Sequence, residues 1–292
     1  NRDFVYQREG DYDGLMVRQD ITARVEALLP QIPAIVTRLK RVAGGERPDI
    51  STGAQCQDPY PCPYFEHCRA AEPPGPEFPV TLLPNAKLLI QRLQAEGHVD
   101  LRKVPLSALQ NAKHLRIARA TRANRPYISP DLSRVLEGIG YPRHYLDFET
   151  IMYAVPRWIS TRPFQQIPFQ FSCHTQQRDG RLTHAAFLDV SGRRPLAGFV
   201  KALLDAVGTE GPVLVWNQGF EATRLRELAT QLPRQSKALH AVIERMVDLL
   251  PIYREHYYHR DMRGSWSIKD VLPTVAPELD YGDLAIGDGG AA

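Results

Sequence analysis

Tyr145-Leu146-Asp147-Phe148-Glu149-Thr150 is the stretch on which the reading of the whole chain turns. Side chains along an extended strand alternate sides, so Asp147 and Glu149 project from one face while Leu146, Phe148 and Thr150 project from the other. Two carboxylates on one face repel each other. A divalent cation held by hard oxygen ligands is the simplest way to relieve them. A solvated face beside a buried one gives the same tripeptide, so the pattern gains force only from what accompanies it.

Downstream, Val213-Leu214-Val215-Trp216 reads as a short apolar strand of the kind buried on both sides of a layered sheet. Asn217 ends it, Gly219 lets the chain turn, and Glu221 falls in the first turn of a helix, where the dipole favours its charge. As structure alone this is an acid at a helix start. Beside Asp147 and Glu149 it becomes a third carboxylate at the end of a neighbouring strand, and three acids there make a metal site. In Gly264-Ser-Trp-Ser267-Ile-Lys269-Asp270-Val-Leu-Pro273, the Ser267/Asp270 spacing has the layout of a capping box, predicting a helix that starts there and ends by Pro273. Lys269 near that start is not helped by the dipole. Contact with substrate phosphate accounts for it, and so does plain exposure to solvent.

Between these motifs, the alternation from Pro168 to His174 and from Thr183 to Val190 across Arg178-Asp179-Gly180 predicts two antiparallel strands. Leu196 to Val207 carries apolar residues at helical spacing, and Gly211-Pro212 stops it. Helices at Glu221 to Leu232 and Ser236 to Met246 follow, then a strand from Met246 to Leu250, whose Asp248 is a candidate for the rim of the site. Antiparallel strands first and helix-strand crossovers afterwards make this an α/β domain.

The upstream text differs. Ile21 to Val42 is helical in pattern but interrupted by Pro30 and Pro33, predicting two short helices or a kinked one. Cys56, Cys62 and Cys68 stand in a proline-rich loop with aromatic residues between them, and a proline-rich linker runs from Pro73 to Pro84. Helices starting at Leu88 and closed by Gly97, from Val104 to Ile117, and from Leu132 to Leu136 form a connector. The expected domains are therefore residues 1–72, a linker and helical connector at 73–140, and an α/β domain at 141–292.

With 292 residues, 43% of them apolar, the chain can bury enough for two domains. No apolar run approaches the roughly 18 to 20 residues that span a bilayer. It opens on Asn1 without a basic-then-apolar leader, and so reads as a piece of something longer. Four cysteines, three of them within thirteen residues, suit a reducing, cytoplasmic compartment and a metal or cluster better than disulfides. Net charge is only +3, yet residues 101–126 hold seven basic side chains and no acid, Arg116, Arg119 and Arg122 among them. That block suits phosphates of DNA or RNA, and suits equally the wet side of a helix.

Asp147-Phe148-Glu149 followed by Asn217-x-x-Phe220-Glu221 is similar to the first two motifs of the DEDD-type 3′-5′ exonucleases of the RNase H-like superfamily. More narrowly, Tyr-Leu-Asp-Phe-Glu-Thr, Pro168-Phe-Gln-x-Ser-x-His174, Asn217-x-x-Phe-Glu, Gly264-Ser-x-Ser-Ile-Lys-x-Val-Leu-Pro and Asp288-Gly resemble an uncharacterised bacterial domain fused behind RecB-like nuclease domains. The resemblance implies an RNase H-like mixed sheet flanked by helices and two-metal hydrolysis of phosphodiesters. Two Mg²⁺ or Mn²⁺ ions about 4 Å apart would be bridged by Asp147 and held by Glu149 and Glu221, with Asn217 and Lys269 at the nucleic acid. A catalytically weak nucleic-acid-binding module of a repair or defence protein is the alternative it leaves. Glu221 stands where most of the superfamily has Asp. The fourth acid has no clear position: Asp288 lacks the His or Tyr that should precede it, and Asp261 has His256 and Tyr257 before it but comes too early. Cys56-x5-Cys62-x5-Cys68 resembles the cysteine group that closes RecB-like domains around a 4Fe-4S cluster, with zinc as the other occupant. Residues 1–72 would then be the tail of such a domain, the rest of it lying upstream in the full-length protein.

Overall fold

A computed structural model describes residues 1–46, 49–56, 58 and 60–279. Two compact units emerge, one made of residue 1 with 13–76 and the other of residues 2–12 with 77 onward.

The first unit carries Thr22–Leu28 (α1) and Ile32–Ala43 (α2), joined by a 3₁₀ turn at Leu29–Gln31. Pro33 sits at the start of α2, where its missing N–H costs nothing because that group has no partner within the helix. This is the interrupted helix expected from the sequence. Its apolar residues, Ile32, Val36 and Leu39 among them, are exposed. A short helix, Phe65–Ala70 (α3), ends the cysteine segment.

In the second unit come Lys87–Ala95 (α4), Ala112–Ala123 (α5), Tyr127–Ile128 (β1) and Leu132–Glu137 (α6). Arg143–Ile151 (β2), Ile167–Gln176 (β3) and Leu182–Leu188 (β4) follow as strands, then Leu196–Val207 (α7), Val213–Val215 (β5), Gly219–Gln231 (α8) and Ser236–Glu244 (α9). Met246–Asp248 (β6), Leu249–His256 (α10), Tyr257–Tyr258 (β7) and Ile268–Val275 (α11) complete it. The main sheet has the order β4-β3-β2-β5-β6. Its first three strands pair antiparallel, and β5 and β6 join parallel to β2 through helical crossovers. The fold is thus mixed α/β, with β2 in the middle where the order of strands reverses. Such a reversal leaves a crevice at the carboxyl ends of the strands.

Two cores result. Leu146, Phe148, Phe171 and Cys173 from one side of the sheet pack against Phe199, Val200, Leu203 and Val207 of α7. Phe199 meets Phe148 and Phe171 edge-on, with ring centroids 5.2 and 5.5 Å apart. The second core joins Phe78, Val80, Leu93, Leu101 and Ile117 to Tyr258, Met262 and Trp266. Residues 77–140 share a compact unit with the sheet, and their apolar faces are completed by residues beyond position 249.

Two helices differ from expectation. Pro105 and Asn111 delay the helix predicted from Val104: only a 3₁₀ turn forms at Leu106–Ala108, and α5 begins once the Asn111 side chain has accepted the Lys113 amide at 2.8 Å. At α11 the Ser267 side chain makes no cap, and the helix runs through Pro273 to Val275. Proline there removes one bond, while buried Val271 and the Ala276 amide bonded to the Leu272 carbonyl keep the last turn.

Candidate functional site

The site begins with the pleat of β2. Leu146 and Phe148 are buried under α7, so Asp147 and Glu149 must point to the other face. Register carries that face across the sheet: Asp147 lies opposite Ser172, and Tyr145 opposite His174, which lies opposite His184. The rings of His174 and His184 stack with centroids 4.3 Å apart, and Ser172 Oγ is 3.0 Å from His184 Nε2. Across β2 and β3 one face is thus apolar and covered and the other polar and more open, while β4 is exposed on both faces except at half-buried Phe187. The sequence alternation announced both; the two histidines went unread as part of the open face.

Glu221 arrives from the next strand. β5 ends at Val215, Asn217 takes a left-handed conformation (φ 74°), and α8 starts at Gly219 with Glu221 in its first turn. Asp248, the residue that ends β6, holds this turn in place. Its carboxylate accepts the Asn217 and Gln218 amides, each at 3.0 Å, and the Leu250 amide at 3.0 Å as the N-cap of α10. Asp248 is therefore the clasp of the β5–α8 turn, more than a rim residue.

Glu221 is 4% exposed, and its Oε2 has no hydrogen-bond partner among the described residues. Burial, with the negative charges of Asp147 and Asp248 adding to it, pushes its carboxyl up to about 7. Desolvation also raises Asp147, although that residue has open surface. Glu149 is raised by burial and by Asp147, while Lys269 pulls the other way. The charge of Asp147 is thus felt by both Glu149 and Glu221. An orphaned buried oxygen and a set of hard carboxylate donors fit a divalent cation. As placed, no group of three His, Cys, Asp or Glu side chains among the described residues closes on a single point.

The remaining expected residues are scattered. Arg122 is committed to structure, donating to the Arg102 and Val104 carbonyls at 2.9 and 2.6 Å. Arg116 lies over Tyr127 at 4.5 Å and donates to the Arg254 carbonyl. Arg119 is exposed, and lines a cavity of about 410 Å³ with Arg116 and Arg125. Asp261 is exposed beside His259 and Arg260. Asp288 lies outside the described residues. In the other unit, the Cys62 amide donates to the Cys56 carbonyl at 2.8 Å, and Cys68 sits on α3; all three thiols are free and half-buried. No described helix is long and apolar enough to cross a membrane.

The profile of a domain family of unknown function, DUF2779, matches residues 144–267. That stretch holds Asp147, Glu149, Asn217, Glu221 and Asp248 together. The chain is similar to uncharacterized protein UU173 of Ureaplasma parvum, with 27% identity over 166 residues, 50% of this chain and 24% of that protein. It is similar also to the uncharacterized MG366 homolog of Mycoplasma pneumoniae, with 31% identity over 144 residues, 45% of this chain and 22% of that protein. The chain therefore spans about a quarter of the length of these curated relatives. No solved structure matches it significantly.

Proposed function

We propose that the second unit is a metal-dependent nuclease of the RNase H-like class, acting as a 3′-5′ exonuclease on DNA or RNA. The observation that carries this reading is Glu221: a carboxylate with a buried, unpartnered oxygen, held beside Asp147 at the crevice where the strand order reverses. A protein does not bury an unmatched acid next to other acids without cost, and a cation removes that cost. The antiparallel-then-parallel order of the sheet supports the same class.

Asp147, Glu149 and Glu221 would hold the ions. Bound divalent cations supply an activated water and neutralise charge at the scissile phosphate and leaving oxygen. The chain's own part is to fix the carboxylates, through the β2 pleat and the Asp248 clasp. Asn217 and Lys269 would face the nucleic acid, and a fourth acid, Asp288 in this reading, would complete the set. Cys56, Cys62 and Cys68 would supply three of the four thiolates a 4Fe-4S cluster takes, with zinc as the alternative, in the tail of a RecB-like domain.

A second reading, a nucleic-acid-binding module with weak catalysis, is favoured by the failure of any three of these donors to close on one point. End-labelled single strands incubated with Mg²⁺ or Mn²⁺ decide between them. Cleavage by the wild type that falls at least about 100-fold in Asp147→Ala is expected, the scale on which loss of one transition-state contact is felt. Cleavage that ignores the substitution, or none at all by the full-length protein, favours the binding module.

A further inference from the structure

A cavity of about 500 Å³ opens beside Asn217, and no acid lines it. Its charged walls are Lys113, from the second residue of α5, and Arg254, from α10. Neither forms an ion pair among the described residues. The Lys113 ammonium instead stands 5.7 Å from the centre of the Trp266 ring. Two cations without a carboxylate partner in one concavity give it a positive potential that favours an anionic ligand.

The uncharged walls say which anion. Trp216 is half-buried, and offers an aromatic surface; Ser265, Ser267 and Asn217 offer hydroxyl and amide groups. The two indoles are pinned: Trp216 Nε1 donates to the Trp266 carbonyl and Trp266 Nε1 to the Tyr257 carbonyl, both at 3.0 Å. Three lining residues that are far apart in the chain, Asn85, Asn217 and Gly264, all hold left-handed backbone, with φ of 53°, 74° and 82°. At Gly264 the fit is tight enough that a Cβ would lie 1.9 Å from the Leu82 carbonyl oxygen. Asn and Gly take this conformation at little cost, so the turns that shape the cavity wall are set by these residues. The volume falls within the roughly 300–1,000 Å³ of small-ligand pockets.

From these observations we infer that the cavity is a nucleotide-binding pocket, taking a nucleoside monophosphate unit with its phosphate between Lys113 and Arg254 and its base against Trp216. Cations beside an exposed aromatic face are the chemistry by which proteins hold single nucleotides of any sequence. Asn217 links the pocket to Glu221, four residues on in the same turn and helix. The assignment deepens the nuclease reading, and rests on it only for the source of the nucleotide, a strand end or a free monomer.

The test is titration of dAMP into the full chain in EDTA, followed by tryptophan fluorescence and calorimetry. Saturable dAMP binding is expected, with deoxyadenosine and inorganic phosphate each weaker. Lys113→Ala and Arg254→Ala should each raise the Kd at least about tenfold, Arg254→Lys less, and Asp147→Ala should leave it unchanged. A single-stranded oligonucleotide that displaces dAMP assigns the pocket to strand ends, and one that does not assigns it to free nucleotide. The proposal is overturned if dAMP fails to bind, if the alanine variants bind like the wild type, or if Asp147→Ala abolishes binding. Because no cation is present, loss of nuclease activity in a separate assay leaves this result standing, so the two readings fail independently.

Discussion

The two sides of β2 are built from alternate residues of the same nine-residue strand, and they have opposite histories of contact. Leu146 and Phe148 disappear under α7, while Asp147 keeps open surface and Glu149 is half-buried, both carboxyls raised first of all by desolvation. The covered side is where the fold gains its stability, and the open side gives some of it back. A side that costs stability is the one to search for function, since burial of like charges has no structural return.

The largest effect should come from the covered side. Phe199→Ala removes the ring on which Phe148, Phe171 and Phe187 all converge, and is expected to cost about 3–5 kcal/mol in urea unfolding. A cost under 1 kcal/mol would mean that α7 is not the lid of this core.

Next in size is the pH dependence of Glu221. Its folded-state carboxyl is raised from 4.5 to about 7, so the native state holds its proton where the unfolded chain has lost it. The stability it contributes is complete below about pH 4.5 and is lost as pH rises through about 7, an effect of up to about 3 kcal/mol without divalent cations. Glu221→Gln should flatten the fall in stability between pH 5 and 8. An unchanged slope in the variant would show that Glu221 is hydrated, and would erase the contrast between the two sides.

Smallest is the outer part of the open side. His184→Ala breaks a ring stack on exposed surface and should change stability by less than about 0.5 kcal/mol. A larger loss would show that something covers this face.

How much of this could be read from the sequence follows from the range of the interactions. The α7 span matches its apolar spacing, and the β3–β4 hairpin its alternation, because both patterns are local. That Asp147 and Glu221 lie on neighbouring strands, near enough for the charge of one to raise the carboxyl of the other, follows from two motifs that each sit at their own strand. By contrast α10 went unread, although Asp248 as cap and Pro251 in the first turn are its start signals. The basic block shows a different limit. Composition counts the charge of Arg122 but cannot show that two backbone carbonyls fix its position. Conversely, Lys113 and Arg254 share a cavity only because a second core brings α5 and α10 together, and no local pattern records that.

The pairing of β2 with β3 shifts once, between Glu149 and Thr150, just past the last of the paired acids. Everything before that point therefore shares one parity with its neighbour. A single residue inserted or deleted between Arg143 and Leu146 would invert it, sending the Phe148 ring into water and the Asp147 carboxylate among phenyl groups. Point substitutions can erode either side by degrees, but a one-codon change in length would trade one side for the other in a single step.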